Sequence, residues 1–120
     1  RETKRGGAWK TILQHQGLIN GEMKRPHVLV AANLTPSTPS LPSLLKLSEV
    51  KTIFHEFGHA LHSLLSECKY ASLSGTQVYR DFVELPSKIM ENWITQKDCL
   101  MLFARHHETG KPIPSLPVNH

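Results

Sequence analysis

The stretch Val50-Lys51-Thr52-Ile53-Phe54-His55-Glu56-Phe57-Gly58-His59-Ala60-Leu61-His62-Ser63-Leu64-Leu65 decides how the rest of the chain is read. Val50, Ile53, Phe54, Phe57, Leu61, Leu64 and Leu65 recur at helical spacing and share one stripe. His55, His59 and His62 fall on the opposite side, because residues four apart differ by only about 40° around a helix axis. A helix buried on one side carries Lys and Glu on the other, yet Glu56 is the sole formally charged residue between Thr52 and Ser66. The histidine side is therefore expected to meet something other than bulk water. Gly58 costs roughly 1 kcal/mol relative to Ala inside a helix, so a second segment is expected to approach closely at that point. Ser48 is the expected N-cap, with Glu49 in the first turn favoured by the helix dipole.

His55-Glu56-Phe57-Gly58-His59 is an H-E-x-x-H run. Two imidazoles one helical turn apart can both reach a single Zn²⁺ at about 2.0–2.1 Å. Glu56, one step round the helix, addresses water at the metal rather than the metal, which makes it the candidate general base. A catalytic zinc ion takes three protein ligands and leaves one position open. The metzincin arrangement needs Gly three residues after the second His and a further His three beyond it. Those places hold His62 and Leu65, so that class is excluded. Glu84, among Phe82, Val83 and Leu85, is the best third ligand; its alternative role is to cap a helix opposite Asp81. His62 either faces the site or packs. Asp81 and Glu91 are read either as outer partners that orient the ligand histidines or as a cap and a surface residue respectively. His27, His106, His107 and His120 show no metal spacing and are read as surface.

Outward from this centre, residues 5–14 read as a Gly-led strand, with Gly17, Asn20 and Gly21 marking a turn region. Val28–Leu34 reads as a largely buried strand, able to pair antiparallel with the first. Residues 35–43, rich in Pro and Ser, form an extended connector. A loop is expected at 70–77 around Gly75. A second helix should begin near Asp81, with Pro86 close to its start or kinking it, and a third should span 97–107 and end at Gly110, before an irregular tail. The fold class that follows is α+β, predominantly helical, with a zincin-like core: a short antiparallel strand pair, then the H-E-x-x-H helix, then the third-ligand helix. The chain is read as one catalytic (zinc-binding) domain over 1–120, which the family resemblance given below makes a partial one, with a strand region at 1–34, the connector at 35–43 and a helical zinc-site region at 44–110.

Bulk properties narrow the partners. The 120 residues suit one small domain, and the start at Arg1 rather than Met predicts a processed product or an excised piece. No run of 18 apolar residues and no signal-peptide core is present, so no membrane partner is expected. Cys68 and Cys99, the two cysteines, form no C-x-x-C pair and read as reduced thiols in a cytoplasmic setting. Residues 1–25 carry six Lys/Arg against Glu2 and Glu22, while residues 26–120 balance. Aromatics are not interleaved with these cations, so no nucleic acid is expected; a solvated surface or a patch for acidic substrate groups is preferred.

Lys4–Trp9, Phe54–His62, Ser74-Gly75-Thr76 and Arg80–Ser87 through Glu91-Asn92-Trp93 together resemble the thimet oligopeptidase family of zinc metallopeptidases, its bacterial oligopeptidase and peptidyl-dipeptidase members above all. The resemblance implies one Zn²⁺ held by His55, His59 and Glu84, Glu56 as general base, and a mostly helical intracellular enzyme that cleaves short peptides in a deep channel. It also implies that Val28–Asn33 runs beside the substrate. Members of that family are several times longer and carry a His- and Tyr-bearing loop downstream of the third ligand. Residues 85–120 contain no Tyr. The chain is accordingly read as the metal-binding core of such an enzyme, needing the remainder for full activity. An inactive zinc-binding fragment is the alternative, with a metal-free helical module and a nucleic-acid binder as further rivals.

Overall fold

Helical periodicity around the H-E-x-x-H run becomes helix α1, Leu47–Leu64, in the computed structural model, which describes residues 7–114. Two further helices follow, α2 (Arg80–Trp93) and α3 (Lys97–Phe103). They are preceded by four strands: β1 (Ala8–Gln14), β2 (Gly17–Ile19), β3 (Glu22–Lys24) and β4 (His27–Ala32). Among the described residues the architecture is a small α+β assembly of two antiparallel strand pairs and three helices. Arg1, Glu2, Lys4, Arg5, Gly6 and His120, which enter the reading of the sequence, lie outside the described residues, as does the end of the tail from residue 115.

β1 and β4 pair antiparallel, with Lys10 opposite Val30 and Ile12 opposite Val28, and the register slips between Ile12 and Gln14. The stretch expected as a turn region is itself a second hairpin. β2 pairs with β3 across Asn20-Gly21, whose φ angles of 50° and 78° are those of a type I′ turn. This corrects the expectation of one strand pair; an Asn-Gly dipeptide between short apolar runs is itself a hairpin signal. β4 is also less buried than expected, with Leu29 and Val30 exposed.

Side chains tie the hairpins to the helical part. Gln16, almost fully buried, donates its amide to the Cys68 carbonyl and accepts the Cys68 N–H, both at 2.7 Å. The Arg25 guanidinium donates to the Leu64 and Ser66 carbonyls at 2.7 and 3.2 Å. It thereby satisfies acceptors that the end of α1 leaves open and adds a cation where the helix dipole favours one.

α1 begins one residue before the expected N-cap, with Lys46 rather than Ser48 flanking it. The Lys46 side chain has no acceptor and cannot cap; the reciprocal contact comes from Glu49. Its carboxylate accepts the Lys46 N–H at 2.7 Å and the Thr35 N–H and hydroxyl at 2.6 and 2.8 Å. One residue thus closes the helix start and pins the Pro/Ser connector to it.

The packed side of α1 is the one carrying small residues and histidines. Gly58, Ala60 and Ser63 are buried, and α2 and the β1–β4 pair lie against this side. A Cβ on Gly58 would sit 2.5 Å from Ser87 Cα and 2.8 Å from the Pro86 carbonyl oxygen, so α1 and α2 cross where only glycine fits. Within the described residues the apolar stripe is only partly covered. Phe54 meets Phe103 of α3 with ring centroids 5.9 Å apart, whereas Phe57 and Leu65 stay 48% and 75% exposed. The fully apolar core reduces to Ala60, Ile94 and Leu100.

The remaining differences are local. α2 starts at Arg80 behind Tyr79, and Pro86 lies inside it, removing one backbone donor. α3 stops at Phe103 rather than His107, because Ala104 adopts extended backbone and Arg105 bridges to Pro112 around a short turn. The 70–77 loop holds a single 3-10 turn, Ala71–Leu73, next to a bridge between Leu18 and Tyr70.

Candidate metal centre

His55 and His59 project from the packed side of α1, and Glu84 projects toward them from α2 across the Gly58 crossing. His55 Nε2 lies 3.2 Å from His59 Nε2 and 3.3 Å from Glu84 Oε2; His59 Nε2 lies 3.6 Å from the same oxygen. Ligand atoms bound at about 2.0–2.1 Å in a tetrahedron are spaced about 3.3–3.4 Å from one another. The triangle has the dimensions of one face of a tetrahedral zinc site, and these three are the group of described residues that could hold a metal ion.

Protonation states favour the same role. Glu91, only 8% exposed, stands behind His55, its Oε1 2.5 Å from Nδ1. With the Nδ1 proton donated to that carboxylate, the Nε2 lone pair is free to face Glu84 and His59. Burial alone would push the Glu91 carboxyl up. The hydrogen bonds from His55, Lys51 and Lys88 outweigh it and bring the pKa down to about 2. Lys51 and Lys88 approach Glu91 at 3.1 and 3.2 Å, so the buried charge is paired. His59 is held toward its neutral, ligating form mainly by burial, against the opposing pull of Glu84. Its Nδ1 is buried without a partner among the described residues. Glu84 is steadied by Ser87, a fully buried side chain whose hydroxyl lies 2.9 Å from Oε2.

The ligand atoms open into a cleft of about 440 Å³ lined by Ala8, Trp9 and Lys10 of β1, by His55, Glu56 and His59, and by Thr76, Val83 and Glu84. Glu56 thus faces the cleft without joining the ligand triangle. Among the lining residues the strand contribution comes from β1, with β4 its antiparallel partner and both strands packed on α1.

The other sequence candidates separate cleanly. Asp81 is exposed and accepts the N–H of its neighbour Phe82 at 2.9 Å, so it forms no capping box with Glu84 and orients no histidine. Glu91 is buried and hydrogen-bonded to His55 Nδ1, not at the surface. His62 packs, edge-on to Phe82 with centroids 6.0 Å apart, and burial lowers its pKa. His27, His106 and His107 are exposed, with the last two stacked on each other. Lys10 enters the reading of the sequence only as part of the basic segment 1–25, Thr76 and Ser87 only within the family motifs, and Lys51 and Lys88 without a role. Ser87 at Glu84+3, Lys51 at His55−4 and Lys88 at Glu91−3 obey helical spacing and were legible in principle; Lys10 carries no such signal.

Two imidazoles from an H-E-x-x-H helix and a carboxylate from the next helix, opening on a cleft, are the arrangement of the metallopeptidase class. The chain belongs to peptidase family M3, whose model matches residues 1–120. It is 40% identical over 114 residues to the dipeptidyl carboxypeptidase of Escherichia coli, covering 95% of this chain and 16% of that protein. It is also 40% identical over 116 residues to oligopeptidase A of the same organism, covering 95% and 17%. The mitochondrial intermediate peptidase of Schizosaccharomyces pombe is 43% identical over 101 residues, covering 84% and 13%. The chain therefore spans 13–17% of the length of these relatives. No described helix is long and apolar enough to cross a membrane, and Cys68 and Cys99 are unpaired.

Proposed function

We propose that this chain is the zinc-binding core of a peptidase that hydrolyses short peptides, with a zincin-like arrangement in which His55, His59 and Glu84 hold the ion. The observation that carries this reading is the 3.2, 3.3 and 3.6 Å triangle of ligand atoms. A bound zinc ion supplies Lewis acidity toward a peptide carbonyl and makes nearby water more acidic. Glu56 accepts a proton from the attacking water and returns it to the leaving amine, so the C–N bond breaks with no net proton change. Glu91 keeps His55 in its ligating tautomer, and Ser87 holds the Glu84 carboxylate in line. The names of the relatives, oligopeptidase and dipeptidyl carboxypeptidase, support peptides as the substrate class. Cytoplasmic placement belongs to the same reading.

Zinc content of the purified chain tests the ligand set. Wild type should hold one ion per chain, and Glu84→Ala should lose it at equal free zinc; unchanged affinity removes Glu84 from the coordination sphere. Glu56→Gln should keep zinc and abolish cleavage of a quenched fluorescent peptide, and full activity excludes Glu56 as the base. A second reading, a zinc-binding fragment without activity of its own, is favoured by the small apolar core and the sixth of relative length. Stoichiometric zinc with no cleavage by the chain, restored on joining it to the rest of such a peptidase, selects that reading.

A further inference from the structure

β1 sends Lys10 into the metal cleft, beside Ala8 and Trp9 and across from Glu56. Its Nζ donates to the Thr76 hydroxyl at 2.7 Å, and the side chain is half-buried. Thr76 Oγ1 is a neutral acceptor. No carboxylate among the described residues lies within 4.0 Å of the ammonium, which keeps two further N–H donors. Burial lowers the Lys10 pKa, while the Glu56 carboxylate opposes that shift and favours the charged form. Among the described lining residues, Lys10 is the one lysine or arginine. Glu56 and Glu84 carry one negative charge each; a divalent ion and Lys10 outweigh them and leave the loaded cleft one unit positive. A half-buried ammonium tethered by a neutral hydroxyl in a cleft of that net sign is a receptor for an anion. The cleft belongs to a peptidase family, and the anion a peptide brings is a carboxylate.

We infer that Lys10 is a specificity residue whose ammonium, tethered by Thr76, pairs with a carboxylate of the peptide bound at the metal centre. The inference rests on the zinc-peptidase reading above. The carboxylate comes either from the free C-terminus or from an Asp or Glu side chain. A C-terminal source makes the cleft select the chain end; a side-chain source makes it select acidic residues. Thr76 fixes where the ammonium stands, and a methionine of similar length in place of Lys10 leaves the cleft filled while removing the charge.

Binding to the zinc-loaded Glu56→Gln chain, where turnover is suspended, tests this by titration calorimetry. Three probes of equal length separate the sources: acetyl-tetra-alanine with a free C-terminus, the same peptide amidated, and an amidated peptide with one Glu. Zinc content is measured on every variant first. Lys10→Met should keep stoichiometric zinc and bind one carboxylate-bearing probe about fivefold more weakly, with the neutral amide unchanged. Lys10→Arg should restore the preference. The probe that loses affinity identifies the carboxylate source. Equal weakening of all three probes, no change in any, or no peptide binding by the zinc-loaded protein overturns the Lys10 assignment and leaves the metal site standing. Absence of zinc from the Lys10-bearing protein overturns both.

Discussion

At the residue scale, the centre depends on which nitrogen of each imidazole carries the proton. His55 has its answer in Glu91, the one buried charged residue among the described residues. Glu91→Gln keeps the shape of the side chain but can present its amide N–H₂ to Nδ1, which removes the bias toward the ligating tautomer. Zinc affinity should fall roughly 10- to 100-fold, the usual cost of losing an outer partner of a ligand histidine, as read by competition with a chromophoric chelator. Unchanged affinity would reduce Glu91 to an anchor for Lys51 and Lys88. The histidines, Glu56 and Glu84 are legible from the chain because their signal is local, four residues along one helix and an acid in apolar company. Glu91 was left between two roles because a carboxylate's partners on a neighbouring helix depend on the crossing geometry, which no local pattern contains.

At the element scale, the α1–α2 crossing sets the distance from Glu84 to the two histidines. Gly58→Ala gains about 1 kcal/mol of helix propensity. The new methyl group, however, meets Ser87 and Pro86 backbone at under 3.0 Å. Backbone cannot swing aside as a long side chain can, and overpacking of this kind costs about 1–3 kcal/mol. The substitution should therefore lower the thermal midpoint and, by parting the helices, weaken zinc binding as well. A raised midpoint with unaltered zinc affinity would show that the crossing has slack. The start of α1 has its own pH signature. The Glu49 carboxyl is held below its ordinary value first by the Lys46 backbone N–H and then by Thr35. Its contribution is present above the unfolded carboxylate pKa and drains away as pH falls through the lower folded value. Wild type should thus lose its stability advantage over Glu49→Gln as urea unfolding is followed from pH 7 to pH 3; an advantage that stays constant would remove Glu49 as its source. The elements themselves were mostly readable, since period, Gly and Pro are local signals. The β2–β3 hairpin shows no alternation in the sequence because its strands are three residues each, and only Asn20-Gly21 marks it.

At the scale of the whole molecule, the radius of gyration is 17.5 Å and the extents are 54 × 38 × 23 Å. A compact chain of this length has a radius of about 13–14 Å. The excess agrees with a core of Ala60, Ile94 and Leu100 and with exposed Phe57, Leu65, Leu13 and Leu102. Hydrophobic burial is therefore less complete than in a compact chain of this length, and the ion should matter in proportion. Free zinc at a hundred times its dissociation constant should add about 2.7 kcal/mol, seen as a higher midpoint that a chelator reverses. A midpoint indifferent to both zinc and chelator would argue that the three ligands converge for another reason.

Residue order alone exposed the candidate site of this protein: two histidines one turn apart, a glutamate between them, a glutamate downstream and a glycine where helices must touch. Those features are local, so spacing along one chain is enough to expose them. Folding in three dimensions settled the rest. It chose the small-residue side of α1 over the apolar stripe as the packed face, gave Glu91 to His55, and carried Lys10 from a distant strand to the cleft mouth. Such choices arise from the angle and separation at which elements cross, and those quantities belong to pairs of segments far apart in sequence rather than to either segment by itself.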